Sequence, residues 1–193
     1  RERLGFVIGD TSGKGIGAAL LMANLQANLR SQSAIALEQP QTFLKSVNQL
    51  FWENTAESSY ATLVFAEYDD ASRRVRYANC GHYPGLLFRN DDTLERLGST
   101  STVLGLFNEW ECSMEENQLF SGDTLVLYTD GVTDSFNQHG DDFGEERLID
   151  AVRRNRELAP QPMLSAIVDE VRKFSPHEQH DDITMIVAKC RDG

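Results

Sequence analysis

Three aspartates border apolar runs that read as strands. Asp10 follows Leu4 to Ile8, Asp130 follows Leu125 to Tyr128, and Asp181 precedes Ile183 to Ala188. A carboxylate beside buried strands must be paired, hydrogen-bonded or bound to a metal, because an isolated charge is heavily penalised there. Any one such acid is more often a turn former or a cap than a ligand. Agreement among three points to a divalent cation held by hard oxygen donors, the preference of Mg or Mn and not of zinc. The 4 histidines show no ligand spacing such as HxxxH, in keeping with that preference.

The glycines beside these acids allow the required approach. In Gly9-Asp10-Thr11-Ser12-Gly13-Lys14-Gly15 the backbone can turn sharply and come close to an ion, so that Asp10 and a backbone carbonyl both face it. Thr129-Asp130-Gly131 has the same form, and His180-Asp181-Asp182-Ile183-Thr184 brings the third acid to the entrance of a strand. The first segment is not a Walker-type phosphate loop, which needs four residues between its glycines and a Ser or Thr after the Lys. Here three residues separate Gly9 from Gly13, and Gly15 follows Lys14. An aspartyl nucleophile of the DxD type is also unsupported, since Ser12 stands where the second acid belongs. Lys14 reads as a solvated loop lysine and His82 as a structural residue bonding the backbone. Asp134 and Asp182 read as turn acids that adjoin the ligands.

The elements that must position these residues follow from periodicity. Leu21, Leu25 and Leu29, with Ala18 and Met22, make a helix from Gly15 whose wide apolar face calls for cover on more than one side. Pro40 opens a second helix, with Phe43, Leu44, Val47, Leu50 and Phe51 at helical spacing. A meander of strands is expected over Tyr60 to Tyr68, Val75 to Cys80, Gly85 to Phe88 and Thr93 to Leu97, because short turn-forming groups separate them. Connections that short imply antiparallel pairing. Trp110, Cys112 and Met114 alternate as in a half-buried strand, Gly122-Asp123 turns into the run Leu125 to Tyr128, and helices follow around Glu145 to Arg156 and Gln161 to Phe174. Helices at both ends of an antiparallel middle predict an α+β layered fold of two sheets with helices outside.

Composition narrows the partners. A chain of 193 residues suits one domain, and a net charge of -12 opposes binding to nucleic acid or anionic lipid. The most apolar stretch, Ile16 to Leu29, is broken by Asn24, Gln26 and Asn28 and falls short of the roughly 20 apolar residues of a membrane span. Cys80, Cys112 and Cys190 are odd in number and lack CxxC spacing, which fits buried free thiols in a reducing, cytoplasmic setting.

Four ordered segments resemble a known family. Asp10-Thr11-Ser12-Gly13-Lys14-Gly15 with Ala18-Ala19, Asn79-Cys80-Gly81-His82-Tyr83-Pro84, Thr129-Asp130-Gly131-Val132-Thr133-Asp134 and Asp181-Asp182-Ile183-Thr184 are similar to the motifs of the metal-dependent protein serine/threonine phosphatases (PPM family), in their bacterial SpoIIE-type branch, which regulates sigma factors. The resemblance implies an α-β-β-α sandwich of two mostly antiparallel sheets. It implies that Asp10, Asp130 and Asp181 hold one Mg or Mn, and that Asp10 and the Thr11 carbonyl hold a second. A water between two such ions would attack the phosphoryl group in line. The implied substrate is a phosphoserine or phosphothreonine on an anti-sigma-factor antagonist. The alternative is a catalytically weak or inactive module that keeps the fold for partner binding. The family's usual acidic motif on an earlier strand has no counterpart here, and Glu2 is a poor substitute, roughly 26 Å of strand from Asp10. The expectations are therefore an N-terminally truncated phosphatase domain over residues 1–193, one well-held ion, and an open edge beside Leu4 to Ile8 that could support a homodimer.

Overall fold

Apolar runs such as Leu63 to Ala66 and Leu125 to Tyr128 pair as strands, and amphipathic spacing marks segments that coil. The computed structural model describes residues 3–36, 38–56, 58–176 and 181–191; Glu2 and His180 lie outside the described residues. Two compact units result, Arg1–His82 with Gly98–Gln118, and Tyr83–Leu97 with Leu119–Gly193. Each is built on one four-stranded antiparallel sheet.

The first unit contains β1 (Arg3–Thr11), α1 (Gly15–Ser31), α2 (Ser33–Ala36), α3 (Pro40–Glu53), β2 (Ala61–Asp69), β3 (Arg74–Cys80) and β6 (Glu115–Gln118). Its strands run in the order β1-β2-β3-β6. Phe43, Leu44, Val47 and Phe51 of α3 pack with Leu63, Phe65, Ala78 and Cys80 of the sheet, and the Phe43 and Phe65 rings meet at 5.6 Å. Glu67 is buried in β2 because two guanidinium groups reach it, Arg3 at 3.1 Å and Arg76 at 2.7 Å.

The second unit contains β4 (Gly85–Phe88), β5 (Leu94–Leu97), β7 (Thr124–Tyr128), α4 (Asp130–Thr133), α5 (Gly144–Arg154), α6 (Pro160–Phe174) and β8 (Met185–Lys189). The strand order is β5-β4-β7-β8. Leu86, Val126 and Tyr128 form its core with Leu148 and Val152 of α5 and Met163, Ile167 and Val171 of α6. No described helix is long and apolar enough to cross a membrane.

Four expectations need correction. β1 runs on to Thr11, so Asp10 and Thr11 are paired strand residues, opposite Thr62 and Ala61, and the turn starts only at Ser12. Trp110 to Met114 is not a strand: its carbonyls at Glu111 and Cys112 accept from the Ser101 hydroxyl and the Gln41 amide instead of a ladder. The meander is broken between β3 and β4, which belong to different sheets, because Gly81 at φ +68 redirects the chain instead of closing a hairpin. The helix α1 is not covered on more than one side: within its unit the row of Leu21, Leu25 and Leu29 packs on the core, whereas Ile16 is 82% and Leu20 67% exposed.

Candidate functional site

Asp10 is half-buried near the end of β1, directly opposite Thr62 of β2. Thr11, next along, is buried, and its hydroxyl donates to the Ala18 carbonyl at 3.3 Å, tying the strand end to the first turns of α1. The intervening turn is held by Ser12 and Tyr60. The Ser12 amide donates to the Tyr60 carbonyl at 2.9 Å, and the Tyr60 amide donates to the Ser12 hydroxyl at 3.0 Å. The strand end just past Asp10 is therefore fixed by Thr11 and Ser12.

In the second unit, Asp130 opens α4 and its carbonyl accepts from the Asp134 amide at 2.7 Å. The structure brings the Asp130 turn and the Asp181–Asp182 segment together through Thr129. Its hydroxyl lies 3.0 Å from the Asp182 carbonyl, the Thr184 amide donates to that same hydroxyl at 3.0 Å, and the Thr129 amide donates to the Thr184 carbonyl at 3.0 Å. Gly131 is required by this approach: a Cβ there would stand 2.3 Å from the Asp182 carbonyl oxygen. Asp181 is exposed, and its Oδ1 accepts from the Asp182 amide at 3.0 Å.

Electrostatics around Asp130 reach Tyr83. Burial, then the charges of Asp134 and Asp130, push its phenol above the ordinary value, against a hydrogen bond with the Thr133 side chain that lowers it. Sequence reading missed Tyr83, Thr62, Thr129 and Thr133. Tyr83, Thr129 and Thr133 lie inside the motif segments and could have been found there; nothing in the spacing marks Thr62. The His82 ring bonds the Thr62 hydroxyl through Nδ1.

The donor set is all oxygen, which fits Mg or Mn. Its members are distributed, Asp10 and Thr11 in the first unit, Asp130 and Asp181 in the second. Among the described residues no three His, Cys, Asp or Glu side chains form a ready ligand group.

Comparison with known proteins defines the class. The fold matches the RsbU and RsbW domains of Rv1364c from Mycobacterium tuberculosis over 98% of this chain and 52% of that one, at TM-score 0.83 and 23% identity. It also matches the catalytic domain of the serine threonine protein phosphatase PstP in complex with 2 manganese ions, over 97% of this chain and 88% of that one, at TM-score 0.70 and 16% identity. The fold is thus that of the PP2C-type phosphatases. The family model for stage II sporulation protein E (SpoIIE) matches residues 1–191, and the chain belongs to this family. The phosphoserine phosphatase RsbU of Bacillus subtilis (strain 168) is 30% identical over 191 residues, 98% of this chain. The chain spans 56% of the length of that relative.

Proposed function

We propose that residues 1–193 act as one phosphatase domain that removes phosphate from phosphoserine or phosphothreonine on a regulatory protein of the anti-sigma-factor antagonist type. Mg or Mn is the proposed cofactor, with Asp10, Asp130 and Asp181 holding one ion and Asp10 with the Thr11 carbonyl holding another. Family membership supports the reaction, and the phosphoserine phosphatase RsbU supports the substrate class. The manganese ions of the PstP domain support the cofactor. A cytoplasmic setting belongs to the same reading and is supported by three free cysteines.

The observation that carries the proposal is the Thr129 clasp, which holds the Asp130 turn against the Asp181–Asp182 segment. Two carboxylate residues from distant parts of the chain are thereby kept at adjoining backbone positions. Divalent ions supply a water of lowered pKa and neutralise charge on the phosphoryl group. Asp10 stands on a backbone fixed by strand pairing.

The test is Mn-dependent hydrolysis of p-nitrophenyl phosphate, read together with Mn affinity. Asp130→Asn should abolish the first and weaken the second. Activity that persists in this variant refutes the assignment. A second reading is a catalytically weak or inactive module that uses the fold to bind regulatory partners. That module would show no metal-dependent hydrolysis while keeping its partner affinity after Asp130→Asn.

A further inference from the structure

The segment Asn79-Cys80-Gly81-His82-Tyr83-Pro84 supplies no proposed ligand, yet two consecutive side chains of it reach the residues beside the proposed ligands. From these contacts we infer that His82 and Tyr83 are positioning residues for metal binding, His82 acting on Asp10 through Thr62 and Tyr83 acting on Asp130 through Thr133. This inference rests on the metal reading proposed above.

The segment is a rigid mount. The Asn79 amide donates to the Thr100 hydroxyl at 3.0 Å, and its carbonyl accepts from the Thr100 amide at 2.8 Å and the Ser101 amide at 3.1 Å. The Gly81 amide donates to the Ser99 hydroxyl at 3.1 Å, and the His82 amide donates to the Asn79 side-chain oxygen at 2.8 Å. Gly81 adopts φ +68, and a Cβ there would lie 2.6 Å from a Val103 methyl. The backbone on which His82 stands is therefore held by neighbours in its own unit and not by the ligands.

In the first unit, His82 is buried and its Nδ1 lies 2.8 Å from the Thr62 hydroxyl. Thr62 stands directly opposite Asp10 in the ladder of β1 and β2. Residues so opposed share one face, with Cβ atoms about 5 Å apart. A hydroxyl has one proton. When His82 Nδ1 carries a hydrogen, Thr62 accepts it, and the Thr62 proton is available on the face that Asp10 shares. A carboxylate approached in this way keeps one orientation as it takes up a cation.

In the second unit, the Tyr83 ring packs at 5.8 Å on the Tyr128 ring, whose hydroxyl bonds Glu145 at 3.2 Å, and Glu145 pairs with Arg96 at 2.6 Å. That chain of contacts leaves the Tyr83 hydroxyl in a hydrogen bond with the Thr133 side chain. The Thr133 hydroxyl lies 3.3 Å from the Asp130 carbonyl and 3.2 Å from the Asp134 carboxylate. Its single proton serves one acceptor at a time, so a phenol that donates to the Thr133 oxygen leaves that proton for Asp130 or Asp134.

The experiment measures Mn affinity of the full chain by electron paramagnetic resonance of the free ion, with thermal midpoints in parallel. Asp10→Asn and Asp130→Asn test the metal reading itself. Thr62→Val, which keeps shape and loses the hydroxyl, and Tyr83→Phe, which keeps the ring on Tyr128, test the positioning. Each should weaken Mn binding roughly 10- to 100-fold, the usual effect of removing a partner that orients a metal ligand. Thr62→Ser should restore wild-type affinity. If both aspartate variants bind Mn like the wild type, the metal reading fails. If they lose binding while Thr62→Val or Tyr83→Phe keeps wild-type affinity, the positioning inference is overturned and the metal reading stands. Equal losses in Thr62→Ser and Thr62→Val also overturn it, because the effect then follows packing and not the hydroxyl.

Discussion

The Thr129 hydroxyl lies 3.0 Å from the Asp182 carbonyl and, as an acceptor, 3.0 Å from the Thr184 amide, so one side chain closes the gap between the Asp130 turn and the start of β8. Thr129 itself is buried, whereas Asp182 and Thr184 are exposed. Water can therefore replace part of what is lost when the hydroxyl is removed. Thr129→Val should destabilise the protein by about 1 kcal/mol, the net value of an ordinary hydrogen bond, and Thr129→Ser should cost less. Urea midpoints for the two variants decide this; equal values would mean the clasp does not depend on the hydroxyl.

Gly131→Ala places its methyl group against the backbone of Asp182. The new carbon would lie 2.3 Å from the Asp182 carbonyl oxygen and 2.7 Å from its carbon. An overpacked contact of this kind costs about 1–3 kcal/mol, and relief must come from moving the Asp181–Asp182 segment away. The expected result is a lower denaturation midpoint together with weaker Mn binding. A variant of wild-type stability and affinity would show that the approach of these segments is not needed.

Arg76→Ala should destabilise the first sheet. It removes a 2.7 Å pairing to Glu67, which is 2% exposed and retains only Arg3 at 3.1 Å. Breaking a fully buried pair costs roughly 3–5 kcal/mol. Both guanidinium groups here are over a third exposed, so solvent screening reduces the expected loss to about 1–2 kcal/mol. The double variant Arg76→Met with Glu67→Leu should recover most of it, measured by chemical denaturation.

Thiol chemistry gives a prediction with a pH sign. Burial pushes the Cys112 thiol up to about 11, and burial followed by the neighbouring Cys112 charge pushes Cys80 higher still. Both stay protonated near neutral pH and should react slowly with an alkylating reagent in the native protein. A raised folded-state pKa favours the protonated form, so this contribution to stability is complete below the ordinary thiol range and is lost as pH rises through about 11. Denaturation midpoints should fall across that alkaline window, and Cys112→Ala should shrink the fall.

Much of the fold could be read in the chain. Phe43, Leu44, Val47 and Phe51 fall at helical spacing and are buried on α3, because a helix presents residues three and four apart to the same side. The run Leu125 to Tyr128 is uniformly apolar and becomes a strand buried on both faces. Asp10, Asp130 and Asp181 stand at the strand ends where apolar runs meet glycines or turns, so their types and positions were also open to sequence reading.

What remained hidden depends on contacts between distant residues. Trp110 to Met114 alternates like a strand, yet side-chain donors from Ser101 and Gln41 occupy carbonyls that a ladder would have used. Periodicity reports which side of a segment is apolar and carries no information about who bonds its backbone. Likewise, β3 and β4 are separated by a turn short enough for a hairpin, and only the tertiary structure assigns them to different sheets. The partnership of Thr62 with His82 spans 20 positions and that of Thr129 with Asp182 spans 53. Local sequence thus determined the elements and the candidate ligands, since apolar spacing and turn chemistry act over a few residues. The hydrogen bonds of Thr62 and Thr129 were decided by folding, because they exist only after remote segments of the chain come within about 3 Å.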